Sequence, residues 1–149
     1  MATLEKDKYQ YVKGMLSADM VEYLTSWSLK NFTAGDDQVP LSSSHHSRNS
    51  ELFNHLIHYL LPIMEKETKL KLKPIYSYNR IYIGGAELKK HTDRDACEIS
   101  ASITLKYFYK DKNYKWPLCM GDTPVIINSG DGVIYKGCEI PHWRPIFNQ

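Results

Sequence analysis

The chain divides by its pattern of apolar and polar positions into a helical first half and a strand-rich second half. A short strand-forming stretch surrounds Tyr11 near the start. Ser17 then precedes apolar residues at helical spacing, among them Val21 and Leu24. The Ser17 hydroxyl can accept a hydrogen bond from an unpaired amide of the first turn, so we predict a helix that begins directly after it.

A second helix is predicted to begin near Asn49 or Ser50, because one broad apolar face repeats at helical spacing over residues 52–61. Pro62 follows that face, and we expect it to kink or restart the helix, since proline has no amide hydrogen and clashes with the preceding turn. Between the two helices, the run from Ser42 to Ser47 is polar and is predicted to be a loop.

From Pro74 onward the chain is rich in strand formers, interrupted by glycine, asparagine and aspartate at the turns. The predicted strands are Tyr76–Ile83, Ile99–Tyr109, Trp116–Cys119, Pro124–Ile127, Gly132–Tyr135 and His142–Phe147. Helices followed by many short strands favour an α+β protein, mainly β, in which N-terminal helices back a sandwich or barrel. We predict one domain over residues 1–149, with helical support and a loop in 1–73 and a strand-rich core, which carries the candidate chemistry described below, in 74–149.

Composition narrows the class of protein only modestly. The length of 149 residues suits a single core, and a formal net charge of +2 is too small to imply a nucleic-acid partner by itself. The three cysteines form no CxxC pair, which favours a reducing compartment over a disulfide framework. There is no apolar run of signal-peptide or membrane-spanning length, so we expect a cytoplasmic protein without a membrane partner.

The candidate chemistry lies in the triplet His91-Thr92-Asp93 and in a later histidine, His142. In an extended segment the residues at i and i+2 point to the same side, so the imidazole and the carboxylate are presented together. Two histidines and one carboxylate form the facial triad of non-haem iron(II) oxygenases. The competing interpretations are a chance HxD triplet and a histidine that only packs or lies at the surface.

Two stretches carry a resemblance to a known family. Residues 78–93, from Tyr78-Asn79-Arg80 to His91-Thr92-Asp93, resemble the prolyl-4-hydroxylase-like branch of the iron(II)/2-oxoglutarate dioxygenases. Residues 130–135 and 141–144 resemble that family's approach to its second histidine. The resemblance implies a double-stranded β-helix, or jelly roll, and a hydroxylase that uses Fe(II), 2-oxoglutarate and O2, with ascorbate as a stimulant. It covers residues 74–147.

The resemblance also implies roles for single residues. His91, Asp93 and His142 match the iron ligands that support catalysis. Tyr82 matches a tyrosine that hydrogen-bonds the co-substrate's carboxylate. A tyrosine that is only a buried aromatic residue of a strand would fit the same sequence pattern. Both interpretations of Tyr82 stay open at the level of sequence.

The chain departs from the family at the basic residue that, in relatives, follows the distal histidine and pairs with the far carboxylate of 2-oxoglutarate. This chain ends at Gln149, before that position. Arg144 is the first substitute, because on a strand it shares the inward side of His142 and its planar fork suits a carboxylate. An exposed arginine at a strand end is the alternative, and Lys106 is a weaker candidate. A further interpretation is that the core lacks its last strand, which would put activity in doubt.

Three functions therefore compete. The first is an oxygenase that hydroxylates a protein side chain or a small molecule. The second is a metal-binding jelly-roll module for binding or structure, without turnover. The third is a nucleic-acid-modifying oxygenase that uses the basic and aromatic run from Lys106 to Trp116, which is less favoured because an ordinary alternating strand gives the same pattern. The primary substrate and the oligomeric state are left open.

Overall fold

The computed structural model describes residues 1–149 and contains three α-helices, nine short strands and one turn of 3-10 helix. The helices are α1 (Leu4–Asp7), α2 (Ala18–Lys30) and α3 (Glu51–Thr68), and the 3-10 turn is Ser47–Asn49. The strands are β1 (Tyr9–Val12), β2 (Ser42–His46), β3 (Tyr78–Tyr82), β4 (Leu88–His91), β5 (Ser100–Ile103), β6 (Leu118–Met120), β7 (Thr123–Val125), β8 (Gly132–Tyr135) and β9 (His142–Arg144).

Both predicted helices form, and the first has the predicted cap. Ser17 is the N-cap of α2, and its Oγ accepts a hydrogen bond from the Met20 amide at 3.2 Å. Of the two predicted effects of Pro62, the restart does not occur, because α3 continues through it. Proline leaves the carbonyl of His58, four residues earlier, without a helical partner. His58 is exposed, so water can satisfy that carbonyl.

The strands form three antiparallel sheets, with the orders β1-β8-β5, β2-β3 and β4-β9-β6-β7. The prediction of a mainly β protein with a few helices is therefore confirmed. β1 and β2 come from the first half of the chain, yet they pair with β8 and β3 of the second half. No helix is both long and apolar enough to cross a membrane.

The polar stretch predicted to be a loop forms β2 instead, and its first two serines are buried. Each buried hydroxyl has an internal partner. Ser42 Oγ donates to the Val39 carbonyl at 2.6 Å, and Ser43 Oγ accepts from the Thr33 amide at 2.9 Å. Burying a hydroxyl is costly only when it lacks a hydrogen bond, so a polar sequence can form this strand.

Two parts of the core fix the position of the later sheets. On one side Leu24 of α2 and Phe53 of α3 are buried and pack against Ile103 of β5. On the other, a buried cluster includes Leu118 of β6 and Tyr135 of β8. This second cluster reaches the candidate site, because β6 pairs with β9 and the Tyr135 ring lies 4.7 Å from that of His142.

Candidate metal centre

The strand pair β4–β9 brings His91 and His142 side by side. His91 is the last residue of β4, His142 is the first of β9, and the two are direct partners in the antiparallel register. Asp93 lies two residues beyond β4, and its amide donates to the Gly137 carbonyl at 2.8 Å. A single backbone hydrogen bond therefore ties the loop after β4 to the turn that precedes β9.

The three side chains converge on one point. Asp93 Oδ1 lies 3.1 Å from His142 Nε2 and 3.5 Å from His91 Nε2. One ligand atom from each of the three residues falls within 4.8 Å of the others, and the two imidazole centroids are 4.4 Å apart. The arrangement offers two nitrogen donors and one carboxylate oxygen, which is the donor set of the facial triad.

Backbone carbonyls fix which imidazole nitrogen faces that point. His91 Nδ1 lies 2.7 Å from the Lys89 carbonyl, and His142 Nδ1 lies 3.0 Å from the Ile140 carbonyl. A carbonyl only accepts, so each Nδ1 carries a hydrogen and donates it. In the neutral ring the lone pair then belongs to Nε2, the atom that points toward Asp93. Metal-binding histidines are commonly oriented by this kind of outer hydrogen bond.

Charge at the site is set by the carboxylate. Burial raises the pKa of Asp93, but hydrogen bonds from His142 and His91 outweigh it and hold that pKa well below its usual range. The hydrogen bond to Asp93 in turn raises the pKa of His91, against the opposing effect of burial. The ionised carboxylate therefore favours a cation beside it, and a metal would compete with the proton on His91.

The walls of the site leave little room for movement of the carboxylate. A Cβ built on Gly137 would collide with the Asp93 side chain, so glycine is required there for space rather than for an unusual φ. Ser100 Oγ donates to Asp93 Oδ2 at 3.4 Å. The buried ring of Tyr135 lies 4.7 Å from that of His142. The His142 side chain is 3% exposed and that of His91 is 26% exposed, so solvent approaches from the His91 side.

A cavity of about 640 Å³ opens at the triad, and both Tyr82 and Arg144 line it. The Arg144 guanidinium carbon lies 4.7 Å from the Trp116 ring centroid and 5.5 Å from that of Tyr82. None of the ion pairs or side-chain hydrogen bonds in the structure uses this guanidinium. An arginine that lines the cavity between two aromatic faces, without a carboxylate partner, is suited to bind an anion.

Lys106 is placed differently. Its Nζ forms an ion pair with Glu22 Oε1 at 2.5 Å, and its side chain is 40% exposed. It borders a second, smaller cavity that also touches Tyr82 and Arg144, and not the cavity that contains the triad. Of the residues predicted from the sequence, the structure thus brings together the three candidate ligands with Tyr82 and Arg144, and leaves Lys106 apart.

Sequence reasoning missed a polar group on the open side of the site. The Gln38 amide nitrogen lies 3.2 Å from His91 Nε2, and its Oε1 accepts from Arg80 Nη2 at 3.1 Å. Arg80 is anchored by Asp36, whose Oδ2 lies 2.6 Å from Nη2 and 3.1 Å from Nε. The one sequence signal for this polar group was Arg80, a charged residue inside the predicted strand Tyr76–Ile83. Nothing local to residues 36–38 points to the site.

Solved structures of known enzymes align with nearly the whole chain. A prolyl-4-hydroxylase from Pseudomonas putida matches with a TM-score of 0.70 at 16% identity, covering 98% of this chain and 89% of that one. HygX from Streptomyces hygroscopicus, with nickel and 2-oxoglutarate bound, matches with a TM-score of 0.73 at 13% identity, covering 98% and 79%. The same protein with hygromycin B also bound gives 0.74 at 13% identity, with the same coverage.

No protein-family model and no curated protein sequence matches the chain. At identities this low, the structural likeness establishes the fold alone. The chain has the fold of 2-oxoglutarate-dependent iron(II) oxygenases, as the sequence resemblance predicted, and it carries a His-Asp-His cluster that could hold a metal.

Proposed function

We propose that this chain is a non-haem iron(II) oxygenase with a single jelly-roll domain. It would couple decarboxylation of 2-oxoglutarate to hydroxylation of a protein side chain or a small molecule. The observation that carries the proposal is the convergence of His91, Asp93 and His142 with both Nε2 atoms directed inward. The shared fold with 2-oxoglutarate-binding enzymes supports it.

The residues present fit an iron(II) ion. Each imidazole has its Nδ1 hydrogen committed to a backbone carbonyl, so Nε2 is available as a ligand. The Asp93 carboxylate stays ionised at neutral pH, because its pKa is lowered by both histidines despite burial. His91, Asp93 and His142 would hold the metal, which when bound supplies the activation of dioxygen. The donor set also accepts nickel or zinc, so purified protein is expected to carry other divalent ions in part.

The chain's own contribution to co-substrate binding would come from Arg144 and Tyr82. Arg144 lines the triad cavity, is held between aromatic rings and lacks an acidic partner, which suits it to the far carboxylate of 2-oxoglutarate. The Tyr82 hydroxyl, which accepts from Arg80 Nη1 at 3.4 Å, can donate its own hydrogen to the same carboxylate. Lys106 is the weaker candidate, because Glu22 already neutralises it.

The first experiment measures metal stoichiometry in the parent, His91→Ala and Asp93→Ala after anaerobic loading with Fe(II). We expect one ion per chain in the parent and a large loss in both variants. His58→Ala, which removes an exposed histidine of α3, is the matched control and should bind as the parent does. Unchanged stoichiometry in both site variants would contradict the assignment of the ligands.

The second experiment tests turnover. With Fe(II), ascorbate and oxygen, the protein should convert 2-oxoglutarate to succinate slowly even before its primary substrate is known. Asp93→Ala serves as the negative control, since it lacks the carboxylate ligand. If intact protein with bound iron forms no succinate, the metal-binding module without turnover becomes the better description.

A further inference from the structure

One exposed side chain, Gln38, lies across the open side of the candidate metal centre. Its amide nitrogen is 3.2 Å from His91 Nε2. His91 donates its Nδ1 hydrogen to the Lys89 carbonyl at 2.7 Å, so Nε2 of the neutral ring carries the lone pair and accepts from the Gln38 amide. Gln38 therefore uses the same lone pair that His91 would give to a metal ion.

The orientation of the Gln38 amide is fixed by the groups around its oxygen. Oε1 accepts from Arg80 Nη2 at 3.1 Å and from the Tyr78 hydroxyl at 3.5 Å. A flipped amide would set its NH2 group against the guanidinium, which only donates, and its oxygen against the lone pair of His91. The N–H side of Gln38 therefore faces the triad, and the oxygen faces away from it.

Arg80 is a rigid support for that oxygen. Its side chain is 8% exposed, and Asp36 Oδ2 lies 2.6 Å from Nη2 and 3.1 Å from Nε. Asp36 Oδ1 also accepts from the amide of the buried Val39 at 2.8 Å. The residues near Gln38 in the loop are thus held in place. Because Asp36 already neutralises Arg80, we infer that Arg80 orients Gln38 and does not itself bind an anion.

A metal ion and the Gln38 amide cannot share His91 Nε2. A bound ion lies about 2.0–2.1 Å from an imidazole nitrogen and takes its only lone pair. The Gln38 amide must then give up His91, while its oxygen can stay bonded to Arg80. A small pivot about that oxygen leaves the N–H group beside the metal, where it needs a new acceptor.

A row of linked side chains leads from this amide to the proposed site of the far carboxylate. Gln38 Oε1 is bonded to Arg80, whose Nη1 donates to the Tyr82 hydroxyl at 3.4 Å. The Arg144 guanidinium carbon lies 5.5 Å from the Tyr82 ring centroid. All four residues line the cavity that contains the triad. A dicarboxylate with its far end at Arg144 and its near end at the triad would lie along this row.

Neighbouring hydroxyl groups are already engaged with one another or with the triad. Ser100 Oγ donates to Asp93 Oδ2 at 3.4 Å, and Ser102 Oγ lies 3.5 Å from the Tyr135 hydroxyl. Gln38 differs from these groups, because its acceptor is the atom that a metal would occupy. Its donor is therefore the one that metal binding releases.

We propose that Gln38 binds the metal end of 2-oxoglutarate, with its amide donating to the carboxylate next to the keto group. The inference rests on the proposed function and adds to the co-substrate site a residue from the N-terminal half of the chain. A carboxylate is a strong acceptor for the released N–H group. The alternative, in which Gln38 Oε1 is a further metal ligand, would require that oxygen to leave Arg80.

The first arm of the test compares the Ni(II) affinity of the parent and Gln38→Leu without co-substrate. Leucine has a similar size, cannot donate and replaces an exposed residue. Because the parent must break a hydrogen bond to bind the metal, Gln38→Leu should bind Ni(II) about two- to tenfold more tightly. Asp37→Asn is the matched control on the same loop, since Asp37 is exposed, and it should bind as the parent does.

The second arm titrates oxalate into the Ni(II)-loaded proteins by calorimetry. Oxalate carries a carboxylate that can bind beside the metal, but it lacks the far carboxylate of 2-oxoglutarate. Gln38→Leu should weaken oxalate binding about tenfold, since a hydrogen bond to a charged group is lost. Arg144→Ala should weaken 2-oxoglutarate much more than oxalate, and Asp37→Asn should affect neither.

Two results would overturn the proposal. A Ni(II) affinity of Gln38→Leu at or below that of the parent would show that Gln38 does not compete for the lone pair of His91. An oxalate affinity of Gln38→Leu equal to that of Asp37→Asn would show that the amide does not reach the co-substrate. A parent protein that binds neither Ni(II) nor oxalate would refute the proposed function and this inference with it, whereas the first two results refute the inference alone.

Discussion

The contact between Gly137 and Asp93 allows the geometry of the candidate metal centre to be tested without removing a proposed ligand. Gly137→Ala adds a single methyl group at a position where a Cβ collides with the Asp93 carboxylate and approaches its Cβ. The backbone of Gly137 is not in the left-handed region, so alanine is tolerated there by the main chain itself. The effect of Gly137→Ala on stability and metal binding should therefore arise entirely from the displaced Asp93 side chain.

The expected effects of Gly137→Ala on folding free energy and on metal affinity have two separate causes. Overpacking by one methyl group in a filled site typically costs about 1–3 kcal/mol of folding free energy. Displacing the carboxylate is comparable to losing an outer-shell support of a ligand, which weakens metal binding about 10–100-fold. The Asp93 amide still has the Gly137 carbonyl available at 2.8 Å, so the loop should remain attached to the turn.

The assay is an anaerobic titration of Fe(II), or of Ni(II) as a stable substitute, together with thermal unfolding of the metal-free protein. Glu139→Ala is the control on the same turn, because its side chain is 53% exposed and makes only a surface ion pair with Lys8. The destabilisation by Gly137→Ala should shrink in an Asp93→Ala background, since the displaced group is gone. Parent-like metal affinity, or an equal destabilisation in both backgrounds, would refute the steric argument.

Two further predictions concern the charged groups around the cavity. Arg144→Ala should weaken 2-oxoglutarate binding roughly ten- to a hundredfold, since a charged hydrogen-bonded contact is worth about 1.5–3 kcal/mol, and Arg144→Lys should restore only part of it. Titration of the co-substrate into anaerobic Fe(II) protein measures this, with Lys106→Ala as the control, and equal loss in the two alanine variants would contradict the assignment. Burial raises the pKa of Asp36, but hydrogen bonds from Arg80 outweigh it and lower that pKa. The stability that Asp36 contributes should therefore be constant above about pH 5 and decline as the pH falls below its unfolded value of about 3.9. The gap in unfolding free energy between parent and Asp36→Asn, followed from pH 7 to 3, checks the sign, and a gap that widens on acidification would contradict it.

Features that depend on neighbours in the sequence could be predicted well. The cap at Ser17 needs only a hydroxyl before a helical pattern, and the pairing of His91 with Asp93 needs only the alternation of a strand. The candidate distal ligand His142 is proposed from the donor set and supported by the family resemblance, since spacing alone does not say that β9 returns beside β4. The structure supplies that link through the direct partnership of His91 and His142.

Features that depend on distant partners could not be predicted. Ser43 looks like a loop residue until its hydrogen bond to the Thr33 amide is known, and that partner lies ten residues earlier. The same is true of Gln38, which reaches His91 across 53 residues. The predicted strand Ile99–Tyr109 is too long, since β5 covers only Ser100–Ile103. Strand propensity identifies the residues that can pair without saying whether a neighbour exists.

The choice between Arg144 and Lys106 shows what tertiary structure adds to a motif. In the sequence both are basic residues on predicted strands, and Arg144 is favoured only because strand alternation places it on the same side as His142. In the structure Lys106 has a carboxylate partner and a solvated side chain, so binding a second anion would require it to leave Glu22 or to share its charge. Arg144 has aromatic faces in place of an acid, and a partly buried guanidinium in that position gains most from an incoming anion. The residue without a partner is therefore the one on which the co-substrate should depend, and its distance in sequence from the family's usual position does not weaken that argument.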